Sequence, residues 1–307
     1  MSKYRSLSIF QNVNKADLIL EPSPHLIVKG CLDEELYNDL SETFPTDEEF
    51  QEIIKGKFPG DFKSENIRLS LYSYIALNKN SKLSKVWVDF IKYHTSKAFI
   101  EEFNNLFGDD LYKYYPDLRK KFNKIDNLNE GVRFDSSHDK NDLNMECQIC
   151  VNTPSTRKSS VIEPHTDAGK ELYAGLLYFR NNDDSSKGGD LIVHKWKNNR
   201  KKKFIHGAMV KKDLIEDCNI IKYEKNTLVF FLNTVDFVHS VSPRNPSTYS
   251  RRFVNILADL PPEDLTDNLL YPKSYAWGKH KLKLLLRSLL IKFGMLNLIK
   301  KFFKIPF

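Results

Sequence analysis

The spacing of apolar and polar positions changes character along this chain. Over residues 34–44, Leu36, Leu40 and Phe44 recur at helical intervals, acids fill the first turn, and Pro45 closes the run. Asp33 is placed to cap that helix. A second amphipathic helix is predicted over about 82–106, with Val86, Val88, Phe90, Ile91, Ala98, Phe99 and Phe103 on its apolar face. Residues 109–144 are polar with weak periodicity, so loops are expected there. From Met145 onward short apolar runs separated by glycine, asparagine and aspartate predict strands over 145–152, 171–180, 188–194, 226–232 and 251–257. The first of these places Gln148, Cys150 and Asn152 on one face, because strand side chains alternate.

The last segment differs in kind. After Asp267 no acidic residue appears, and residues 279–303 are dense in Leu, Ile, Phe, Lys and Arg. On a helical wheel Lys283, Arg287, Lys301 and Lys304 oppose Leu285, Leu289, Phe293, Leu296 and Phe303. Charges interrupt this run too often for a span of about 20 apolar residues. It suits the surface of an anionic membrane, or a helix packed on the core or on a second subunit.

Composition narrows the class. A chain of 307 residues with 41% hydrophobic content can bury a sizeable core, and all-β barrels of this length often form one domain. Charged residues at 28% and a mean hydropathy of −0.47 fit a water-facing protein. The segment opening Met1-Ser2-Lys3-Tyr4-Arg5 lacks the apolar core of a signal peptide, so a cytoplasmic location is expected, with peripheral membrane contact through the tail as an addition. Cys147 and Cys150 are three apart on a strand and face opposite sides, which argues against a shared zinc or a redox couple; with Cys31 and Cys218 they read as buried free thiols. The basic run over 195–203 reads as a solvated hairpin tip, or as an electrostatic guide for an anionic substrate.

Candidate chemistry centres on Glu163-Pro164-His165-Thr166-Asp167 and on His239. Two imidazoles and one carboxylate on one face of a metal, with the other positions open, is the arrangement of non-haem Fe(II) oxygenases. His-x-Asp by itself is a weak signal, and its context gives it weight. The motif lies just before one strand, and His239 closely follows another.

In ordered context the sequence resembles the Fe(II)/2-oxoglutarate-dependent dioxygenases, and within them the prolyl-4-hydroxylase-like branch. The matching elements are His165-x-Asp167, the strand Leu176-Leu177-Tyr178-Phe179, Gly188-Gly189-Asp190-Leu191, Leu228-Val229-Phe230-Phe231, His239 followed by Ser240-Val241-Ser242-Pro243, and a basic residue opening the last strand. They cover about residues 145–260. The resemblance implies a mainly β (α+β) fold, a double-stranded β-helix or jelly roll over 145–262, supported by helices and strands of 1–144 and followed by the tail 263–307. It also implies that 21–36 passes from a short strand into a helix.

The same resemblance implies Fe(II) held by His165, Asp167 and His239, with 2-oxoglutarate and O2 as co-substrates and ascorbate sustaining activity. A basic side chain about ten residues after the distal His would hold the far carboxylate of 2-oxoglutarate. Arg251 and Arg252 both stand near that spacing, and only one can point into the barrel. Arg252 shares a face with Val254 and Ile256, which favours it. Tyr178 matches a position that often donates to the same carboxylate; a core aromatic is the equal alternative. The family's frequent tyrosine near position 152 is absent, so Asn152 or Gln148 would contribute there. With Asp167 present, hydroxylation or another oxidation is expected, and not halogenation. Arg244 reads as a turn residue that is exposed or near the substrate, and not bound to the cofactor.

Two function classes follow: a 2-oxoglutarate-dependent hydroxylase, or an inactive jelly-roll scaffold at a membrane surface. Intact ligands and an available arginine favour the enzyme. A net charge of +7 and a pI near 9.0 raise nucleic acid as a partner, but the flanking motifs of nucleic-acid-demethylating members are missing. The branch points to a peptidyl proline, and the basic tail to a glycan or lipid-linked precursor.

Overall fold

The computed structural model describes residues 3–54, 65–79, 82–116, 118–119, 125–160, 162–198, 202–204 and 208–260. The basic tail and the centre of the 195–203 run lie outside the described residues, and with them the membrane reading. No helix among the described residues is long and apolar enough to cross a membrane.

In chain order the elements are β1 (His25–Lys29), α1 (Glu34–Glu42), α2 (Asp47–Ile54), β2 (Arg68–Leu71), α3 (Ser73–Ala76), α4 (Lys85–His94), α5 (Lys97–Tyr114), β3 (Glu130–Val132) and β4 (Leu143–Asn152). They continue with β5 (Glu171–Tyr178), β6 (Leu191–Trp196), β7 (Ile215–Ile221), β8 (Thr227–Leu232), β9 (Val238–Val241) and β10 (Arg251–Asp259). One sheet has the order β1-β8-β5-β10-β4-β2, with β3 also on β4; the other runs β7-β6-β9. The segment around His165 extends the smaller sheet, because His165 pairs with both His239 and Met209. From β4 onward the chain passes back and forth between the two sheets. That alternation is the double-stranded β-helix, and β1 and β2 lengthen its larger sheet at both edges.

Both faces of the larger sheet are buried. Met145, Cys147, Ile149, Val151, Leu228, Phe230, Leu232, Val254, Ile256 and Ala258 pack outward with the apolar faces of the helices. Cys150, Ala174, Tyr178, Val229, Phe231, Phe253 and Leu257 point inward with Leu191 and Val193 of the facing sheet. Cys147 and Cys150 therefore do lie on opposite faces. Cys218 is exposed, contrary to the expectation of four buried thiols, because it faces solvent in the middle of β7, where Glu216 to Ile220 are all exposed.

At Gly175 the outer core leaves no room for a side chain. It pairs across the sheet with Phe230, and a Cβ there would sit 2.5 Å from that ring. The ring is held by Phe10, Tyr173 and Phe107 at centroid distances of 4.9, 5.1 and 5.4 Å, so it has little freedom to yield. Gly175→Ala should lower the unfolding free energy by about 1–3 kcal/mol, the cost of overpacking, as read by urea denaturation.

The helix predicted over 82–106 is two helices. The chain breaks at Thr95-Ser96, where Thr95 Oγ1 donates to the Ile91 carbonyl and Ser96 Oγ to that of Tyr93. Hydroxyls that bond the preceding turn compete with helix propagation. α5 then runs on to Tyr114, into the stretch expected to be loop, by burying Phe107 and Leu111. α1 forms where predicted, but the Asp33 side chain makes no cap hydrogen bond with it.

His94 closes α4 as a neutral buried imidazole. Nδ1 faces the Phe90 carbonyl at 2.8 Å and Nε2 faces the Ile9 N–H at 3.2 Å, which together require one proton on Nδ1 and none on Nε2. Burial pushes its pKa down to about 3 from 6.5. Between those values the unfolded chain binds the extra proton, so this contribution to stability is complete above pH 6.5 and lost as pH falls toward 3. Wild type should lose more stability than His94→Gln between pH 6.5 and 4, by up to about 1.4 kcal/mol per pH unit.

Candidate metal centre

His165 and His239 are neighbours because their backbones pair: His165 N donates to His239 O at 2.9 Å and His239 N to His165 O at 2.8 Å. Their rings lie 4.3 Å apart, centroid to centroid. Asp167 follows two residues after His165, and its Oδ1 lies 3.9 Å from His165 Nε2 and 3.7 Å from His239 Nε2. The possible ligand atoms of the three all lie within 4.8 Å of one another. Facing Nε2 atoms and a carboxylate oxygen at these separations form one side of a metal's coordination shell.

The supporting contacts favour the ligand state. His165 Nδ1 lies 2.8 Å from the Glu163 carbonyl, which places the proton on Nδ1 and leaves the Nε2 lone pair free toward the other two groups. His239 is packed by the Phe231 and Phe237 rings at 5.1 and 5.7 Å. Burial, and then the neighbouring His165, holds its pKa well below 6.5, so its imidazole is neutral. Burial raises the Asp167 carboxyl, opposed by His165 and Arg68. A divalent cation would restore the charged carboxylate that burial disfavours.

These residues line one wall of a cavity of about 530 Å³ between the sheets, which also contains Gln148, Asn152, Arg251, Phe253 and Asn255. A larger cleft of about 870 Å³, lined in part by Glu65, Thr156, Asp184 and Tyr249, contains none of the three ligands.

Of the adjacent pair Arg251 and Arg252, Arg251 is the one on the cavity wall. Its guanidinium lies about 5 Å from the Tyr178, Tyr223 and Phe253 rings, at 5.0, 4.9 and 4.9 Å. Nε donates to Gly189 O at 3.0 Å, and Nη1 reaches Asn152 Oδ1 at 3.4 Å. The Gly188-Gly189 turn makes that carbonyl available: Gly188 has φ +87°, and a Cβ there would strike Pro243 O at 2.1 Å. Arg251 Nη2, Asn152 Nδ2 and the Tyr178 hydroxyl are all buried without a hydrogen bond of good geometry. Polar atoms left in this way are ones that an anion or an ordered water would satisfy.

Arg252, which the apolar pattern favoured, does not line this cavity. Its guanidinium lies 5.1 Å from the Phe44 ring on the helix side of the sheet, and its backbone N–H donates to the Tyr223 hydroxyl at 2.9 Å. The apolar face it shares with Val254 and Ile256 is the one that meets the helices. Tyr178 and Asn152 stand beside Arg251, and Gln148 lies farther along β4. Arg244 is buried, and no exposed turn residue: Nη2 donates to Asp184 Oδ2 at 2.7 Å and Nε to Ser186 Oγ at 2.9 Å.

Several cavity residues had drawn no notice in the sequence, among them Arg68, Arg133, Glu171 and Asn255. For Arg68 a signal existed, since Ile67, Leu69 and Leu71 alternate with Arg68, Ser70 and Tyr72 in a strand period. On the outer face of the smaller sheet, His194 bridges Asp217 (Nδ1 to Oδ1, 2.9 Å) and Ser240 (Nε2 to Oγ, 2.8 Å). These contacts tie β6, β7 and β9 together directly behind His239.

No protein-family model and no curated protein matches this sequence. Similar solved structures do exist. A prolyl-4-hydroxylase from Pseudomonas putida aligns at 11% identity over 77% of this chain and 92% of its own, with a TM-score of 0.40. One from Phytophthora capsici aligns at 12% identity over 91% and 84%, also at 0.40. A prolyl hydroxylase from Trichoplax adhaerens, solved with a hypoxia inducible factor oxygen degradation domain peptide fragment, aligns at 10% identity over 77% and 83%, at 0.39.

Proposed function

We propose that this chain is an Fe(II)- and 2-oxoglutarate-dependent dioxygenase that hydroxylates an unactivated C–H bond. The observation that carries the reading is the convergence of His165, Asp167 and His239 on one wall of a cavity whose other residues include Arg251 with an unused N–H. Three protein ligands on one side leave the opposite positions for a chelating co-substrate and O2. Bound Fe(II) and 2-oxoglutarate supply the oxidising chemistry, with O2 consumed and succinate and CO2 released.

The chain's own residues bind, orient and shield. His165 and His239 offer neutral imidazoles, and Asp167 offsets part of the cation's charge. Arg251 takes the far carboxylate of 2-oxoglutarate through charge-assisted hydrogen bonds, with Tyr178 and Asn152 as further donors. Leu191, Phe231 and Phe253 keep the inner part of the cavity apolar, which strengthens these interactions and excludes competing reactions.

The direct test is succinate formation from 2-oxoglutarate by the purified protein with Fe(II), ascorbate and O2. The reading predicts succinate in wild type and none above background in His239→Ala. No succinate from an iron-loaded wild type, with or without candidate substrates, would reject it.

A further inference from the structure

The cavity holds a second guanidinium that the proposed co-substrate does not use. Arg68 comes from β2, the edge strand beside β4 in the larger sheet, and Arg68, Ser70 and Tyr72 alternate onto the cavity face. Asn152 is the cross-strand partner of both Arg68 and Arg251, on opposite sides of β4. From there the two side chains diverge. Arg251 turns toward Gly189 and the Tyr178 ring, whereas Arg68 lies along β4 toward Gln148 and Cys150, with Nη2 3.3 Å from each of Gln148 Oε1 and Cys150 Sγ. Phe253 borders both, its ring 4.9 Å from the Arg251 guanidinium and 5.2 Å from that of Arg68.

The partners of Arg68 are neutral. Besides Gln148 and Cys150 they are Ser70 Oγ at 3.3 Å and Asn255, whose amide, turned to donate to Gly175 O, accepts from Nη2 at 2.9 Å. Arg133, also on the cavity wall, differs in being paired with Asp259 at 2.8 Å. Among the described residues neither Arg68 nor Arg251 forms an ion pair with a carboxylate. Asp167 is the metal's counter-charge. Glu171 faces Arg133, Oε1 to Nη2 at 4.0 Å. With a divalent cation and a dianionic co-substrate in place, Arg68 is left as surplus positive charge. Arg68 keeps exposed surface while its charge is felt at Asp167.

Resting on the dioxygenase reading, we infer that Arg68 is the specificity residue for the primary substrate and that this substrate is a small molecule bearing a carboxylate. The planar guanidinium takes the carboxylate on its exposed side, with Ser70 and Tyr72 alongside, and so directs the rest of the molecule toward the metal. A cavity of about 530 Å³ shared with 2-oxoglutarate fits a compound of amino-acid size.

The experiment uses free amino acids and N-acetyl amino acids, each beside its neutral counterpart: an N-acetyl amide, or an ester of matched size. Succinate formation is followed in wild type, Arg68→Met and Arg68→Lys, and calorimetry on the Mn(II)-loaded proteins measures 2-oxoglutarate affinity separately. Acids are expected to stimulate wild-type turnover where neutral counterparts do not. Arg68→Met should raise the KM for the stimulating acid by roughly 10- to 100-fold, the range for a hydrogen bond to a charged group. Its 2-oxoglutarate affinity should stay within about threefold, and Arg68→Lys should recover part of the loss. Equal stimulation by neutral counterparts, no stimulation by any acid, or a loss of 2-oxoglutarate affinity in Arg68→Met would overturn the assignment. Absence of succinate formation in iron-loaded wild type, both without added compound and with every one of them, would instead strike the dioxygenase reading itself.

Discussion

Arg251→Met is expected to raise the KM for 2-oxoglutarate by about 100-fold or more, while Arg252→Met leaves it within about threefold. The two arginines are adjacent in sequence and would be indistinguishable if only net charge mattered. Arg251 is buried against three aromatic rings with an unpartnered Nη2, so a carboxylate arriving there gains a charge-assisted contact where water competes poorly. Truncating one member of a buried, hydrogen-bonded charge pair costs about 2–5 kcal/mol, or roughly 30- to several-thousand-fold. Arg252 sits over Phe44 on the other face of the sheet and has no route to the cavity. Steady-state kinetics with 2-oxoglutarate varied decides the matter, and equal effects from the two substitutions would refute the assignment.

Asp167→Ala is expected to weaken Fe(II) binding by more than about 100-fold and to remove succinate formation. Losing an outer contact to a metal ligand already costs 10- to 100-fold, and losing the ligand itself should cost more. The same substitution should leave the metal-free protein as stable as wild type or slightly more so. Without a cation, the Asp167 carboxylate is a half-buried charge beside two imidazoles, and desolvation raises its pKa. A residue whose removal abolishes activity without weakening the fold serves the site. Thermal melts with and without Fe(II) separate the two effects: wild type should gain stability on metal addition, and Asp167→Ala should not.

The candidate metal centre was legible in the sequence because its information is local. His165 and Asp167 are two residues apart on an extended segment, and His239 lies just beyond a strand whose apolar run is plain. The choice of arginine was not legible, for a reason specific to this architecture. Where one face of a sheet meets solvent, apolar neighbours identify the inner side; here β10 buries Val254 and Ile256 against the helices and Phe253 and Leu257 inside the barrel. The more apolar face was taken for the cavity face, and it was the helix side. Arg68 escaped notice because its importance comes from register: nothing in the segment 66–72 shows that it lies across from Asn152. The division of the predicted long helix turned on side-chain hydroxyls at Thr95 and Ser96 capturing carbonyls of the preceding turn, a competition that apolar periodicity does not reveal.

An anaerobic titration with Fe(II), followed by 2-oxoglutarate, tests the central claim most directly. The account predicts one ferrous ion per chain and a visible charge-transfer band when 2-oxoglutarate chelates it. Both should disappear in Asp167→Ala and His239→Ala, while Arg252→Met retains them. Stoichiometric iron binding that survives both ligand substitutions, or a wild-type protein that binds no iron, would contradict it.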